Sequence, residues 1–352
     1  MMPLPETSVI MSVYNTERFV IQAIESILGQ TYRDFEFVIV NDGSTDKTGQ
    51  ILSEFQKRDA RIVLLNNQKN IGVTKSLNIA LKEARGKYVA RMDPDDISRK
   101  DRLEIQISYM KSNPLTDILG SYVKSIDEDG SITGEWIYPD DPVSIRWQLI
   151  FANALAHPSV VYKKDIVLSA GGYNEDLASG IDYDLWVRLS PKARICQVKE
   201  FLVMWRSHTG SITYQYAERR KNTQKAIVKK QIEGYLGREV PDKDVESLYS
   251  LEAEAPLSSP EAVKDAAALI EEIYKAFMKD NPGLSPIFSN SLIGSKLLKL
   301  ALLNIYNAPG ISAAIIFRSI GSYFSIKALF SRPLFLTFAR ATKRRLTGAY
   351  AS

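Results

Sequence analysis

Two residue types with versatile chemistry are scarce in this sequence of 352 residues, which contains one cysteine, Cys196, and two histidines. A single cysteine cannot form an intramolecular disulfide, and this favours a reducing compartment. Because Cys196 flanks an apolar run, we expect a buried structural thiol rather than a nucleophile. The N-terminal residues lack a basic region followed by an apolar stretch, so we do not predict a secretory signal.

Acidic residues are absent from the end of the chain. Nothing acidic follows Asp280, whereas nine of the 45 Lys and Arg residues do, which leaves 36 basic against 41 acidic residues in the sequence up to and including Asp280. The net charge of +4 therefore hides a basic tail, which predicts contact with an anionic surface. We do not expect a nucleic acid as the partner, because aromatic residues do not interleave with the basic ones as a stacking platform requires.

No uninterrupted apolar run is long enough to predict a membrane span. Residues 300–317 carry no charge, but Asn304, Asn307 and Pro309 interrupt them. We predict a basic amphipathic helical segment over residues 286–352, with Lys296 and Lys299 on its polar face, lying on an anionic membrane. The alternative is a helical hairpin packed on the rest of the protein or on a second subunit of a homo-oligomer.

Short apolar runs alternate with helical patterns in the first part of the chain. The strand-like runs cover residues 8–14, 35–40, 61–65 and 87–92, and a helical pattern follows each of the first three. This alternation predicts an α/β fold with a mostly parallel sheet flanked by helices. It weakens beyond residue 98. Residues 214–285 are predicted to be a helical linker region in which residues 241–260 form a connector.

Polar clusters follow three of these strands, at residues 14–17, 41–46 and 93–96. In open α/β sheets ligands bind at the carboxyl ends of the strands, so the three clusters are expected to converge on one edge. Asp93, Asp95 and Asp96 would repel one another unless a cation lay between them, and their oxygens suit Mg²⁺ or Mn²⁺. The alternative is a solvated loop with a helix-capping aspartate.

Two familiar nucleotide-binding motifs are missing. No Gly-x-Gly-x-x-Gly follows the first strand, and the stretch from Gly43 to Thr48 lacks the second glycine that a phosphate loop has before its lysine. Phosphate charge must then be handled in another way, and a metal ion on Asp93 and Asp95 would do this.

Two later stretches carry further candidate groups. Asp182 and Asp184 fall in the first turn of a predicted helix. One of them is expected to interact favourably with the helix dipole, and the other is expected to be a carboxylate that takes part in the chemistry. His208 is the second histidine, and a lone histidine is more often structural than a ligand.

An ordered set of motifs over residues 6–213 resembles glycosyltransferase family 2, the inverting nucleotide-sugar transferases of the GT-A fold. The set comprises Val13-Tyr14-Asn15-x-Glu17, Val40-Asn41-Asp42-Gly43-Ser44-Thr45-Asp46, Asn70-x-Gly72, Lys75-Ser76-Leu77-Asn78, Asp93-x-Asp95-Asp96, His157-Pro158-Ser159, Gly171-Gly172-Tyr173, Asp182-Tyr183-Asp184-Leu185-Trp186 and Arg206-x-His208. The resemblance implies a GT-A catalytic domain over residues 1–213, with a nucleotide-sugar half to about residue 98 and an acceptor half beyond it.

The resemblance also implies roles for particular residues. Asp182 matches the family's catalytic base, and Asp95 with His208 matches the site of Mn²⁺ or Mg²⁺. The nucleotide would be bound by Tyr14, Asn15, Glu17, Asp42 and Asp93, and the candidate acceptor or sugar contacts are Lys75, Asp96, His157 and Trp186. In one departure, Ile181 stands where the family commonly has Glu.

The activity implied is transfer of a sugar from a nucleotide-sugar donor, UDP-linked by preference, to a glycan or lipid-linked acceptor in cell-surface polysaccharide synthesis. A cytoplasmic protein, peripheral on the inner face of the plasma membrane, is the implied location. Two alternatives stay open, namely a nucleotidyltransferase and a non-catalytic relative that binds nucleotides or glycans.

Overall fold

The structure is a computed structural model that describes residues 4–211, 214 and 216–323. By its internal contacts the chain divides after Thr223 into two units, and Ile150–Ala152 belong to the second. The predicted boundaries at residues 213 and 285 are not tested by this division. The helix Ala217–Leu236 starts in the first unit and ends in the second.

The first unit carries nine strands and most of the alternating pattern. Its elements in order are β1 (Thr7–Val13), α1 (Val20–Leu28), β2 (Phe35–Asn41), α2 (Thr48–Arg58), β3 (Ile62–Asn66), α3 (Val73–Glu83), β4 (Tyr88–Arg91), β5 (Ile97–Ser98), α4 (Arg102–Ser112), β6 (Ile118–Ile126), β7 (Ile132–Trp136), α5 (Pro142–Leu149), a 3₁₀ turn (His157–Ser159), β8 (Val161–Lys163), α6 (Lys164–Ser169), α7 (Ile181–Leu189) and β9 (Ile195–Arg206).

The strands form one mixed sheet in the order β3-β2-β1-β4-β8-β6-β9-β5, with β7 paired to β6. Strands β1 to β4 are mutually parallel, whereas β8 is antiparallel to both of its neighbours. The α/β fold with a mostly parallel first half is therefore confirmed. Since β1, β2 and β4 run in one direction, the loops that follow Val13, Asn41 and Arg91 leave from the same edge of the sheet.

Buried apolar side chains on β1 and β2 form the centre of this unit. Every residue of both strands is buried, as expected for strands covered by helices on both faces. Cys196 is buried in the same core, as predicted. Gly43 adopts a left-handed conformation, with φ of 70°, and a Cβ there would lie 2.5 Å from the backbone of Lys69. Only glycine permits this approach, which brings the loop after β2 against residues 69–70.

The second unit is helical. Its helices are the end of α8 (Ala217–Leu236), α9 (Asp242–Glu252), α10 (Pro260–Lys279), α11 (Pro286–Leu303) and α12 (Pro309–Tyr323). The expectation of a connector over residues 241–260 is wrong over α9, because Val245, Leu248 and Leu251 repeat at helical spacing and are buried.

The two lysines of the polar face predicted for residues 286–352 lie on α11, and they pair with an acidic residue of α9. The ammonium group of Lys296 is buried against the Glu252 carboxylate, and Lys299 lies 3.7 Å from the same carboxylate. Burial lowers the pKa of Lys296 to about 8, although Glu252 acts in the opposite direction. These two charges therefore pack inside the unit rather than face a membrane. In the described part of the chain no helix is long and apolar enough to cross a bilayer.

Candidate active site

The turn after β4 brings Asp95 against His208. The two residues follow different strands, β4 and β9, and Asp95 Oδ2 lies 2.9 Å from His208 Nε2. Both side chains are largely buried, and the ring of Phe19 packs at 4.8 Å from the imidazole. A carboxylate and an imidazole, placed 113 residues apart in sequence, thus meet at the sheet edge that the sequence predicts.

Arg206, the last residue of β9, holds this turn in place. Its guanidinium is buried and donates to the carbonyl oxygen of Asp95 (2.8 Å), to those of Asp127 and Glu128 (3.0 Å each) and to the Gln22 side chain (2.8 Å). One rigid guanidinium therefore connects the turn after β4, the β6–β7 turn and helix α1.

Replacement of Arg206 by alanine is expected to lower the free energy of unfolding by about 3 kcal/mol, because buried acceptors lose a charged donor. Urea denaturation measures the loss. The matched control is Arg99→Ala, since Arg99 pairs with Asp101 and Glu200 at the surface. Exposed pairs of this kind contribute less than about 1 kcal/mol. Equal losses in the two variants would contradict the role given to Arg206.

The position of the Asp96 side chain indicates a structural role. It is fully buried, and Oδ1 accepts the backbone N–H of Arg206 at 2.8 Å. Oδ2 has no partner among the described residues. Burial, together with the nearby charges of Asp95 and Asp93, raises the pKa of Asp96 well above its ordinary value. The structure thus gives this candidate sugar contact a position beneath the turn.

Asp93 is paired with Arg91, the last residue of β4. Arg91 Nη2 donates to Asp93 Oδ1 at 2.5 Å, and the Arg91 side chain is only 2% exposed. Two further nitrogens of this guanidinium, Nε and Nη1, have no hydrogen-bond partner in the described part of the chain. Burial raises the pKa of Asp93, and Arg91 offsets this rise in part.

Asp182 occupies the first turn of α7. Gly180, in a left-handed conformation with φ of 67°, directs the chain into the helix. Asn153 Nδ2 donates to Asp182 Oδ2 at 2.7 Å and fixes the orientation of the carboxylate. Burial raises the pKa of Asp182, whereas the N–H of Tyr183 and the Asn153 amide lower it, and burial prevails. A carboxylate with a raised pKa is suited to proton transfer near neutral pH.

Asp184, the second acid of this turn, has a structural partner. Its Oδ2 accepts from Arg188 Nε at 2.8 Å, one helical turn later. The same guanidinium donates to the carbonyl oxygens of Ala170 and Gly172. Asp184 is therefore the helix-start acid of the two, which leaves Asp182 as the candidate working group.

Asp182 and the Asp95 turn share one site. The charges of Asp95 and Asp182 both act on the Asp93 carboxylate and favour its protonated form. The Arg91 cation acts on Asp93 and on Asp182, lowering the pKa of each. The contacts agree, because the Arg91 N–H donates to the Val160 carbonyl at 3.0 Å, and the ring of His157, three residues earlier, meets Trp186 of α7 at 6.2 Å.

The loops after β1 and β2 are bound to each other. Asn15, in a left-handed conformation, receives the N–H of Thr45 at 2.8 Å and donates its own N–H to Ser44 Oγ. The Glu17 carboxylate accepts the N–H of Lys47 at 2.8 Å, at the start of α2. Tyr14 is exposed. Two of the predicted nucleotide contacts therefore also hold one loop against the other.

Asp42, the fourth predicted nucleotide contact, is buried beneath the loop that precedes α3. Its carboxylate accepts from the N–H groups of Ile71 (3.0 Å) and Gly72 (2.9 Å) and from the Asn67 amide (2.8 Å). Oδ2 accepts one of these bonds and Oδ1 accepts the other two.

The remaining candidate contacts lie in different environments. Lys75 is exposed on α3, and Trp186 is fully buried in α7. His157 Nε2 lies 2.9 Å from the Tyr173 hydroxyl, with the ring of Trp186 edge-on at 6.2 Å. Burial, aided by the Arg91 charge, lowers the pKa of His157 well below its ordinary value, so His157 is neutral.

Sequence reasoning did not single out Arg91, Asn153, Tyr138 or Arg206 as site residues. A charged residue at the end of an otherwise apolar strand, two positions before Asp93, was a usable signal for Arg91. Asn153 and Tyr138 lie in irregular segments far from Asp182 in sequence, and no spacing marks them. Arg206 belonged to a noted motif, but its contacts depend on the fold.

The predicted metal site fits an ion that is shared with a substrate. In the described ranges no three His, Cys, Asp or Glu side chains are arranged to hold a metal. Asp95 and His208 nevertheless meet at 2.9 Å, which supplies two ligands of suitable chemistry. Mg²⁺ and ions like it commonly bind one or two protein carboxylates and take further oxygens from phosphates and water. The pair therefore fits part of a Mg²⁺ or Mn²⁺ site, in which Asp95 and His208 would supply two of the ligands.

Comparison with known proteins agrees with this class of fold. The sequence profile of "Glycosyl transferase family 2" matches residues 8–165. An uncharacterized glycosyltransferase of Methanocaldococcus jannaschii is 38% identical over 213 residues, covering 58% of this chain and 72% of that protein. The O-antigen biosynthesis glycosyltransferase WbnJ of Escherichia coli is 36% identical over 209 residues, covering 58% of this chain and 80% of that protein.

Among solved structures, S. aureus TarS 1–349 in complex with UDP-GlcNAc matches with a TM-score of 0.56 at 16% identity. The match covers 99% of this chain and 93% of the TarS chain, and it supports the fold. The α/β architecture and the related proteins named above define the class of this protein, which is a glycosyltransferase. The chain belongs to glycosyltransferase family 2.

Proposed function

We propose that this protein is an inverting, metal-dependent glycosyltransferase that moves a sugar from a nucleoside-diphosphate sugar to a glycan or lipid-linked acceptor. The observation that carries the proposal is the placement of two separate groups in one site, the Asp95–His208 pair and the Asn153-bound Asp182. Direct displacement at a sugar carbon requires stabilisation of the leaving diphosphate and a base for the attacking hydroxyl.

The Asp95–His208 pair and Asp182 have separate roles in this reaction. Asp95 and His208 would hold a divalent cation, which acts as a Lewis acid that offsets charge on the diphosphate. Asp182 accepts the proton of the acceptor hydroxyl at its carboxylate. Asn153 orients that carboxylate. Arg91 holds Asp93, and its charge acts on both Asp93 and Asp182.

A UDP-linked sugar is the proposed donor, and cell-surface polysaccharide synthesis is the proposed setting. TarS has been solved with UDP-GlcNAc, and WbnJ is named for O-antigen biosynthesis. The experiment is hydrolysis and transfer from UDP-, GDP- and dTDP-sugars with and without Mn²⁺. A nucleoside diphosphate should be released from one of these donors, and only with the metal. No release from any of them would contradict the proposal and favour a non-catalytic binding protein.

A nucleotidyltransferase is the weaker alternative. It would need a glycine-rich basic loop after the first strand, and this chain has Tyr14-Asn15-Thr16-Glu17 there. Hydrolysis products decide between the two, since a nucleotidyltransferase releases pyrophosphate rather than a nucleoside diphosphate.

As the pH is lowered, the rate of transfer is expected to fall before the pH reaches the range in which ordinary aspartates titrate, because burial raises the pKa of Asp182. Asn153→Leu removes a donor that favours the ionised form. The acid limb of kcat should then move up by about one pH unit, since a hydrogen bond to a charged group contributes about 1.5 kcal/mol. A limb that stays in place or moves down would contradict the role of Asn153.

Peripheral attachment to the inner face of the plasma membrane is a separate proposal, and it depends on basic residues outside the described residues. Lys343, Arg344 and Arg345 are a run of three basic residues in the last part of the sequence. Their replacement by glutamine in the full chain should weaken binding to phosphatidylglycerol vesicles about 100-fold, at about 1 kcal/mol for each charge. Lys199→Gln, at an exposed position elsewhere, is the control. Unchanged binding would leave the tail without a membrane role.

A further inference from the structure

Trp136 ends β7 with its side chain 49% exposed, an unusual position for so large an apolar group. The exposed ring is nevertheless fixed. Its Nε1 donates to Ser125 Oγ at 2.5 Å, and the ring of Trp205 meets it edge-on, with centroids 6.2 Å apart and an interplanar angle of 83°. Both contacts hold the indole in a single orientation, so its surface is presented ready-made.

Strand pairing places these residues on one face of the sheet. Ser125 of β6 lies opposite Gly134 of β7 and opposite Trp205 of β9. Trp136 is two residues from Gly134 and therefore points to the same side. A Cβ built on Gly134 would have no heavy atom closer than 3.7 Å, which is ordinary contact beside open space. We name Ser125, Gly134, Trp136 and Trp205 the indole patch.

The indole patch continues into the candidate active site. Tyr138 follows Trp136 by two residues, a step of about 7 Å in an extended chain. Gln197 Nε2 donates to the carbonyl oxygen of Pro139, the next residue, at 2.7 Å and to that of Ala154 at 3.0 Å. Asn153, the neighbour of Ala154, donates to Asp182, so the segment after Trp136 is bound close to this carboxylate. A molecule bound along β7 would thus reach Asp182 within the length of a short oligosaccharide.

The chemistry of the indole patch suits a sugar. Its members carry no charge, so they supply no cation to a phosphate or an anionic headgroup. A fixed indole presents a flat apolar surface to the C–H face of a sugar ring. Ser125 and the open space above Gly134 add a polar edge and room. Sites for small polar ligands commonly combine aromatic walls with a few placed polar groups.

We propose that the indole patch is an acceptor subsite, which binds the sugar residue of a neutral glycan next to the one that reacts at Asp182. This inference rests on the proposed function, because it assigns the acceptor side of the same site. Loss of an aromatic stack of this kind is expected to weaken affinity about tenfold, which corresponds to about 1.4 kcal/mol.

The test measures binding of the full chain to an array of neutral and acidic bacterial oligosaccharides, together with UDP affinity in the presence of Mn²⁺. The variants are Trp136→Ala and Trp136→Phe, and the matched control is Leu115→Ala, at a residue that is 76% exposed. We expect Trp136→Ala to weaken binding of neutral glycans about tenfold and Trp136→Phe to weaken it less. The control should bind glycans as the unmodified protein does. Affinity for UDP should stay within about twofold, which also shows that the variants fold.

Three results would overturn the proposal. The first is no glycan bound by the unmodified protein, and the second is equal binding by Trp136→Ala. The third is a loss of binding to phosphatidylglycerol vesicles instead, which would make the patch a membrane contact. Failure of the proposed function looks different, since UDP would then not bind while neutral glycans still bound through Trp136. Once an acceptor is known, Trp136→Ala should raise its KM with little change in kcat.

Discussion

Asp182→Asn is expected to reduce kcat for sugar transfer by about 1,000-fold, within the range of about 100–10,000 that general base catalysis supplies. The amide has the size of the carboxylate but cannot accept the hydroxyl proton. Donor binding should persist, because Asp182 lies at the start of α7, whereas the candidate metal ligands follow β4 and β9. Steady-state transfer and calorimetric titration with UDP measure the two effects separately.

Asp184→Asn is the matched control for this substitution. It makes the same chemical change two residues away, at a carboxylate that pairs with Arg188. Transfer should stay within about twofold, and any loss should appear in the free energy of unfolding, where a pair of this kind contributes less than about 1 kcal/mol. If the two variants lost activity equally, the base would not be Asp182.

The first half of the fold was predictable because its strands are buried on both faces. Each reads as a short, continuous β-branched or apolar run, and a helical pattern separates it from the next. The predicted strand at residues 35–40, for example, is β2 (Phe35–Asn41). The parallel order then fixes which loops share an edge, so the positions of Asp93 and Asp95 could be expected before the structure was known.

The second half was not predictable in the same way. Strand β9 (Ile195–Arg206) carries Gln197, Lys199 and Glu200, and its register with β6 shifts near Tyr122. An irregular strand breaks the period-two pattern on which sequence reasoning depends. Strand β8 is three residues long and antiparallel to its neighbours, so it does not belong to a repeating strand–helix unit that the sequence pattern could reveal.

The candidate site shows the same limit. The residues alone predicted a working carboxylate at Asp182 or Asp184, and only the family resemblance selected Asp182 and gave His208 a role at the metal site, because nothing in their local spacing links them to Asp95. Asn153 and Arg91 act through contacts that the fold creates, one from an irregular segment and one from the end of a strand. The partners that orient a reactive group are thus harder to predict from a sequence than the group itself.

Asp95→Ala is expected to remove metal-dependent donor binding and to lower kcat/KM by about 1,000-fold, since Lewis-acid stabilisation contributes several kcal/mol. With Asp95 truncated, His208 remains as the only ligand of the pair. A single imidazole ligand binds Mn²⁺ poorly. Titration with Mn²⁺ in the presence of UDP should show a higher midpoint or none. Asp129→Ala, at an exposed turn residue, is the control and should titrate as the unmodified protein does.

The pattern of loss distinguishes a metal ligand from a structural residue. Arg206 bonds the backbone oxygen of Asp95 rather than its side chain, so the turn should keep its support in Asp95→Ala. The free energy of unfolding should therefore change little while metal-dependent binding is lost. If excess Mn²⁺ restored nothing and the variant also unfolded at lower urea, Asp95 would be a structural residue. If UDP bound equally well without any metal in both proteins, the site would bind its donor without a cation, and the Asp95–His208 pair would require another function.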